Sequence, residues 1–258
     1  MSANAALANR IAVITGASAG IGQALARDLA AAGARLVLNA RRQDRLDALA
    51  KELGPENVAT VAGDAAEQST IDAVLDAAVE RFGSEADLVI VNAGRGLRGS
   101  ITDSDPQEWE EMIRINILGA SRLMRAAAAR MVGLVDAEQF MTRPRDIVVL
   151  GSNVGKHISP FSSMYGSTKF AVNSLAEALR RELAPKGIRV TLIAPGIVKS
   201  EFQEAAGYDA DSFGEFMERV GPVLVPEDVS RIIAFVVSQP ANVHVNDVVI
   251  RPTRQEYP

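Results

Sequence analysis

Short apolar runs rich in β-branched residues recur along the chain: Ile11–Ile14, Arg35–Leu38, Val58–Val61, Leu88–Val91, Ile147–Leu150, Val190–Ile193 and Val248–Ile250. Within each run the apolar positions are continuous rather than alternating, the pattern of strands buried on both faces. Between them lie stretches of helical length and period, at Gly22–Ala32, Arg42–Leu53, Thr70–Phe82, Glu108–Met131 and Met164–Leu183. Strand and helix alternate almost to the end, which predicts an α/β fold: a doubly wound parallel sheet of seven strands with helices on both faces. No Pro/Gly/Ser-rich linker or composition break divides residues 1–258, so a single domain is expected.

Two stretches break the rhythm. Residues 132–145 are loop-like and contain Pro144; residues 200–226 carry Phe202, Tyr208, Phe213, Phe216 and Met217 without a strand. The second follows the C-terminal end of a strand, where open α/β sheets place their ligand crevice, so it is expected to form a lid. The alternative is an amphipathic helix packed on the body. Gly207 and Gly214 favour the lid, because they interrupt a simple helix.

Composition narrows the chemistry. The 258 residues are 48% hydrophobic and 23% charged, as in a globular protein. With no cysteine and two histidines, His157 and His244, thiol nucleophiles, disulfides and Cys/His metal sites are excluded or nearly so. A net charge of −5 gives no global reason to bind nucleic acid or an anionic membrane. The first ten residues lack the apolar core of a signal peptide, and the apolar stretch Ile232–Val237 is far shorter than the roughly 18 to 20 residues of a membrane span. A cytoplasmic location is expected.

The first strand runs into Thr15-Gly16-Ala17-Ser18-Ala19-Gly20-Ile21-Gly22 and then a helix. Glycines in such a turn let the backbone approach a pyrophosphate, which the free N–H groups and dipole of the helix N-terminus stabilise. The spacing Gly-x3-Gly-x-Gly lacks the Gly-Lys-Ser/Thr ending of a P-loop, which argues against a nucleotide triphosphatase. No Gly-x-Ser-x-Gly elbow supports a Ser/His/Asp hydrolase either.

With this turn the chain resembles the classical short-chain dehydrogenase/reductase family, whose signature is Thr-Gly-x3-Gly-x-Gly. Further marks follow in order: Asn92-Ala93-Gly94 after the fourth strand, Asn116, Ser152 after the fifth, Tyr165 and Lys169 as a Tyr-x3-Lys element, and Pro195-Gly196-Ile197-Val198-Lys199-Ser200 after the sixth. They span about residues 10 to 252. The resemblance implies a Rossmann-type fold and an oxidoreductase acting on CH–OH groups. It implies Tyr165 as acid/base, Lys169 also holding the nicotinamide ribose, Ser152 bonding the substrate oxygen and Asn116 holding a water in a proton relay. It also implies cofactor contacts from Gly16, Ser18, Gly20, Ile21, Gly22, Asn92, Ala93, Gly94, Tyr165, Lys169, Pro195, Gly196, Val198 and Ser200. The sequence departs at Val91, where the family often has Asn, at Ser200, where it has Thr, and in a longer stretch between Asn116 and Ser152. That insertion, around residues 132–145, is expected at the sheet end away from the active site.

The proposed chemistry makes physical sense. Moving a hydride to or from a secondary alcohol carbon needs a proton donor or acceptor at its oxygen, and an unperturbed tyrosine, with pKa near 10, is a weak base at neutral pH. Lys169 lies one helical turn beyond Tyr165 on the same face, so its charge, with that of oxidised nicotinamide, is expected to favour tyrosinate. Each residue also has a plainer reading. The Tyr/Lys pair can be solvated helix neighbours, Ser152 a cap and Asn116 a backbone-bonding helix residue.

The end of the second strand reads Leu38-Asn39-Ala40-Arg41-Arg42. An acid there would accept bonds from the adenosine 2′-hydroxyl of NAD, whereas cations suit the 2′-phosphate of NADP. Ala40 stands at the acid's position and Arg41 follows, so NADP(H) is expected, with Arg41 first, Arg42 and Ser18 in support and Asp64 on the adenine edge. The clustered cations Arg41, Arg42 and Arg45 would oppose the helix dipole unless an anion neutralised them.

For the substrate, a small alcohol or carbonyl compound, the chain is similar to the NADP-dependent 3-hydroxy acid and serine dehydrogenase subgroup. Arg95 and Arg98 are candidates for binding an anionic group, with Asn153, His157 and Phe202 as further contacts. A catalytically silent NADP-binding sensor on the same fold is the alternative function. The resemblance further implies a homotetramer.

Overall fold

The computed structural model describes residues 7–134 and 140–257. The seven apolar runs form β1 (Ile11–Thr15), β2 (Arg35–Ala40), β3 (Val58–Ala62), β4 (Leu88–Val91), β5 (Arg145–Leu150), β6 (Ile188–Pro195) and β7 (Asp247–Ile250). They make one sheet in the order β3-β2-β1-β4-β5-β6-β7, and every pairing is parallel. The chain winds outward from β1 in one direction, then returns at β4 and winds in the other.

Successive strand residues point to opposite faces, and both faces are covered. On one face Ala12, Ile14, Leu36, Leu38 and Ile90 pack against α1 (Gly20–Ala31), α2 (Gln43–Leu53) and α9 (Pro226–Val237) through Leu25, Leu29, Leu46, Leu49, Ile233 and Val236. On the other, Ile11, Val13, Val37, Val89, Ile147 and Val149 pack against α3 (Gln68–Phe82), α5 (Ala120–Val132) and α6 (Ser163–Leu183). Burial on both sides is why the central runs are continuous in sequence. The outermost strands depart from this: β3 and β7 are only partly covered, because each has a neighbour on one side alone.

The helix expected over Glu108–Met131 is divided. A 3-10 turn (Pro106–Glu108) leads into α4 (Trp109–Ile113), a π-helical turn (Arg114–Gly119) and then α5. The π-turn carries Asn116, whose side chain bonds to neighbouring elements, and such single-turn bulges are common at functional positions. After β6 come α7 (Phe202–Ala205) and α8 (Ala210–Val220). Gly207 separates them in a left-handed conformation, φ 74°, whereas Gly214 lies inside α8 and does not break it.

Within the 132–145 insertion, residues 135–139 lie outside the described residues. Phe140 packs against Gly187, just before β6, which places this part at the N-terminal rim of the sheet, away from the C-terminal strand ends. Among the described residues no helix is long and apolar enough to cross a membrane.

Charge closes that N-terminal rim. Arg10 Nε donates to Asp87 Oδ1 (2.6 Å) and Arg10 Nη2 to Asp146 Oδ2 (2.8 Å), while Arg189 Nε and Nη2 hold both oxygens of Asp146 (2.7 and 2.9 Å). All four side chains are buried, and Arg189 also donates to the carbonyls of Gln239, Pro240 and Val243. Removing one member leaves buried cations without their anion, which costs about 3–5 kcal/mol. Asp146→Ala is therefore expected to lower the unfolding free energy by about that amount, measured by denaturant titration; a loss below about 1 kcal/mol would show that the pair is not buried in solution.

Candidate active site

The C-terminal ends of the strands open into a cleft of ≈ 1350 Å³, centred where the winding reverses between β1 and β4. The turn after β1 forms its floor. Gly16 and Gly20 adopt φ of 67° and 56°, and a Cβ on Gly16 would meet Asn92 Nδ2 at 2.9 Å. Gly22 does not line the cleft; a Cβ there would lie 2.4 Å from the Gly16 carbonyl oxygen, so its role is to let α1 pack against the turn. Asn92 closes the arrangement by donating to the carbonyls of Thr15 (2.8 Å) and Gly16 (3.3 Å). The Thr15 hydroxyl, which the sequence reading left without a role, accepts from the N–H groups of Asn92 and Ala93 at 3.2 and 3.1 Å.

The residues expected to do chemistry converge on one wall. Tyr165 and Lys169 sit in α6, both buried, with Lys169 Nζ 5.8 Å from the centre of the Tyr165 ring and donating to the Leu150 carbonyl at 2.8 Å. Ser152, beyond the end of β5, hydrogen-bonds Tyr165 and also accepts from Val154 N–H (3.4 Å). It thus combines the site and cap readings. Burial raises the Tyr165 pKa above that of a free phenol, with the Ser152 bond opposing the shift. Burial also lowers Lys169, to about 8. The expected depression of Tyr165 concerns the site with an oxidised nicotinamide beside Lys169; in this structure desolvation of the phenolate, with Tyr208 nearby, sets the upward direction.

Asn116 is buried and its polar side chain is committed. Its Nδ2 donates to the Arg95 carbonyl (2.9 Å) and to Thr168 Oγ1 (3.0 Å), and its Oδ1 accepts from Arg95 N–H (2.9 Å). The side chain ties the loop after β4 to α6, with both amide N–H groups used.

Other expected contacts divide. Ser18, Ile21, Arg41, Arg42, Asp64, Ala93, Gly94, Pro195, Gly196, Val198, Ser200, Asn153 and Phe202 line the cleft. His157 does not; its Nε2 faces Arg251 Nη2 at 2.7 Å, and Arg251 also donates to Asn153 Oδ1 (2.9 Å). Arg95 is paired with Glu108, whereas exposed Arg98 makes no ion pair among the described residues. The carboxylate of Asp64 accepts from Arg114 and from Ala66 N–H (2.9 Å). Arg42 and Arg45 both bind Glu201, which is the anion their place at the start of α2 called for. Of the three clustered cations only Arg41 makes no ion pair among the described residues.

The segment from residue 200 covers the other side. Phe202 lies 5.6 Å from the Tyr165 ring, centre to centre, and Tyr208, Phe213 and Phe216 also face the cleft. Phe161 and Gln255 were not expected there. Gln255 is buried and its Oε1 accepts from Ile197 N–H (3.1 Å), a contact from beyond β7 that no local pattern signals.

The model of the short chain dehydrogenase family matches residues 10–211. An uncharacterized oxidoreductase of Staphylococcus epidermidis is 33% identical over 244 residues, 94% of this chain and 97% of that one. Among solved structures, the closed form of serine dehydrogenase complexed with NADP+ is similar at a TM-score of 0.85 and 30% identity, covering 96% of each chain. The 3-ketoacyl-(acyl-carrier-protein) reductase of Brucella melitensis complexed with NADH is similar at a TM-score of 0.84 and 26% identity, covering 96% of this chain and 99% of that one.

The floor of the cleft fits a dinucleotide, since side chains at positions 16 and 22 would fill or distort the cradle. Gly22→Ala puts a methyl group against backbone that cannot rotate away, an overpacking cost of about 1–3 kcal/mol. It is expected to lower the melting temperature and to weaken dinucleotide binding, read by thermal unfolding and equilibrium titration; an unshifted melting temperature would contradict this packing.

Proposed function

Because the chain belongs to the short-chain dehydrogenase family and is an oxidoreductase of that kind, we propose that it interconverts a small alcohol and its carbonyl compound with NADP(H), using Tyr165 as acid and base. The observation that carries this reading is the convergence of Ser152, Tyr165 and Lys169 on one wall of the cleft that the glycine turn floors. A bound nicotinamide would supply or accept the hydride. Gly16, Ser18, Gly20 and Ile21 would face the pyrophosphate, and Asn92 to Gly94, Lys169 and the stretch Pro195 to Ser200 the nicotinamide half.

In the reducing direction the carbonyl oxygen accepts hydrogen bonds from Ser152 and Tyr165. As charge grows on that oxygen, Tyr165 passes it the phenolic proton. Its raised pKa keeps that proton in place at neutral pH until the stronger base, the alkoxide, appears. Lys169 then holds the tyrosinate. Lys169 Nζ lies 5.8 Å from the centre of that ring, and a unit cation near a phenolate at an effective dielectric constant of about 20 favours the charged form. The Leu150 carbonyl fixes the ammonium in position, and Asn116 acts by holding the Arg95 backbone and Thr168 rather than by offering a free amide. In the alcohol-oxidising direction the same groups work in reverse, with Tyr165 as base.

The NADP reading rests on the missing acid at Ala40 and on Arg41, which lines the cleft mouth without an ion pair among the described residues. For the substrate, aromatic walls from Phe161, Phe202, Phe213 and Phe216 suit an apolar group beside the carbonyl, and Arg98 is the remaining candidate for an anion. A homotetramer is consistent with the exposed apolar side chains of Leu118, Phe170, Leu175 and Val249.

Tyr165→Phe is expected to lower kcat by roughly 10²–10⁴ while NADPH affinity stays within about threefold. The readouts are NADPH oxidation against a panel of aldehydes and ketones and a fluorescence titration. Equal turnover by variant and wild type would refute the assignment, and no turnover by the wild type would favour a silent sensor. Arg41→Ala removes a charge-assisted bond worth about 1.5–3 kcal/mol. It should weaken NADP+ binding roughly 10- to 100-fold and leave NAD+ little changed, and a proportional loss of both would remove the cofactor assignment.

A further inference from the structure

Two cations meeting on one carboxylate mark the mouth of the cleft. Glu201 Oε1 accepts from Arg45 Nη1 at 2.7 Å and Oε2 from Arg42 Nη1 at 3.2 Å, across 156 and 159 positions of chain. The same Arg42 donates through Nε and Nη2 to Ser18 Oγ at 3.3 and 3.1 Å. Ser18 belongs to the glycine turn, and a Cβ on Gly20 of that turn would lie 3.6 Å from Ser200 Cβ, next to Glu201 in sequence. The carboxylate therefore stands where the rim of the turn, the start of α2 and the start of the covering segment meet.

Exposed ion pairs add little to stability, so the importance of this one lies in its position. Arg42, the extended residue that leads into α2, and Arg45 in its first turn carry like charges and repel each other. They converge here because an anion sits between them. That anion comes from the protein itself and occupies Arg42, which the cofactor reading assigns in support of a 2′-phosphate.

We propose that Glu201 is a specificity-determining residue, a built-in counter-anion that occupies Arg42 and Arg45 and so restrains binding of a 2′-phosphorylated adenosine without affecting an unphosphorylated one. The inference rests on the NADP reading. A 2′-phosphate held by Arg41 with Arg42 in support must either share Arg42 with Glu201 or displace the carboxylate from it. The backbone that carries the carboxylate is held on both sides: before it Lys199 N–H donates to the Leu224 carbonyl (2.8 Å), and after it Phe202 packs on Tyr165 and the Ala206 carbonyl accepts from Arg98 N–H (3.1 Å). An adenosine carrying a free 2′-hydroxyl brings no second anion and meets no such opposition.

The test uses ligands that reach only this end of the cleft: adenosine 2′,5′-bisphosphate and adenosine 5′-monophosphate. Both are titrated calorimetrically into the full-length wild type and Glu201→Gln, at low and at moderate salt. Removing one negative charge near a phosphate dianion at a solvated site is worth roughly a three- to tenfold change in affinity. Glu201→Gln is therefore expected to bind the bisphosphate tighter by that factor, with the monophosphate within about twofold and the gain shrinking as salt rises. Unchanged melting temperature establishes that both proteins are compared folded. A wild type that prefers the bisphosphate but a variant that binds it no tighter overturns this proposal alone, and weaker binding by the variant would make Glu201 a brace rather than a restraint. A wild type and a variant that both bind the two ligands alike overturn the cofactor reading, and this proposal with it.

Discussion

A parallel sheet buried on both faces leaves only its two rims for polar work. Every strand of this protein runs the same way, so all strand starts lie on one rim and all strand ends on the other. Apolar side chains pointing to both faces fill the space beneath the helices. Charged groups are pushed to the rims, and the crossover helices decide which rim can open. Between β1 and β4 the winding reverses, so the loops leaving them diverge and a crevice is left between them.

The two rims meet this constraint in opposite ways. At the strand starts, Arg10, Asp87, Asp146 and Arg189 neutralise one another within a closed network, and the arginines also satisfy backbone carbonyls. At the strand ends the buried polar groups are not mutually neutralised. Lys169 donates to a carbonyl and faces the Tyr165 ring, with no ion pair among the described residues, and is lowered to about 8 by burial, while Tyr165 is raised by the same cause. Burial thus moves an acid and a base towards their neutral forms in one place. This costs stability, and in the proposed mechanism it would keep the phenolic proton in place until a stronger base forms.

Cations around the cleft are mostly assigned already. Arg42 and Arg45 hold Glu201, Arg95 holds Glu108, and Arg114 holds Asp64, Glu67 and Glu111. Charge counted from sequence overstates what a ligand would meet, since half-exposed guanidinium groups find carboxylates brought near by the fold. Arg41 and Arg98 line the cleft without an ion pair among the described residues, which is why the proposed cofactor and substrate readings turn on them.

The sequence by itself determined the strand order of events: seven continuous apolar runs, the helices between them, the glycine turn after β1 and the spacing of Ser152, Tyr165 and Lys169. These are local facts, since strand and helix periodicity, a turn that excludes Cβ atoms and a one-turn offset on α6 are properties of neighbouring residues. Only the tertiary structure decided the rest. The π-turn at Asn116, the pairing of Arg42 and Arg45 with Glu201, the withdrawal of His157 towards Arg251 and the arrival of Gln255 beneath Ile197 all join positions far apart in the chain. The direction of the Tyr165 shift belongs with them. A lysine one turn away is visible in sequence, but the desolvation that raises the phenol depends on how deeply the folded chain buries the ring.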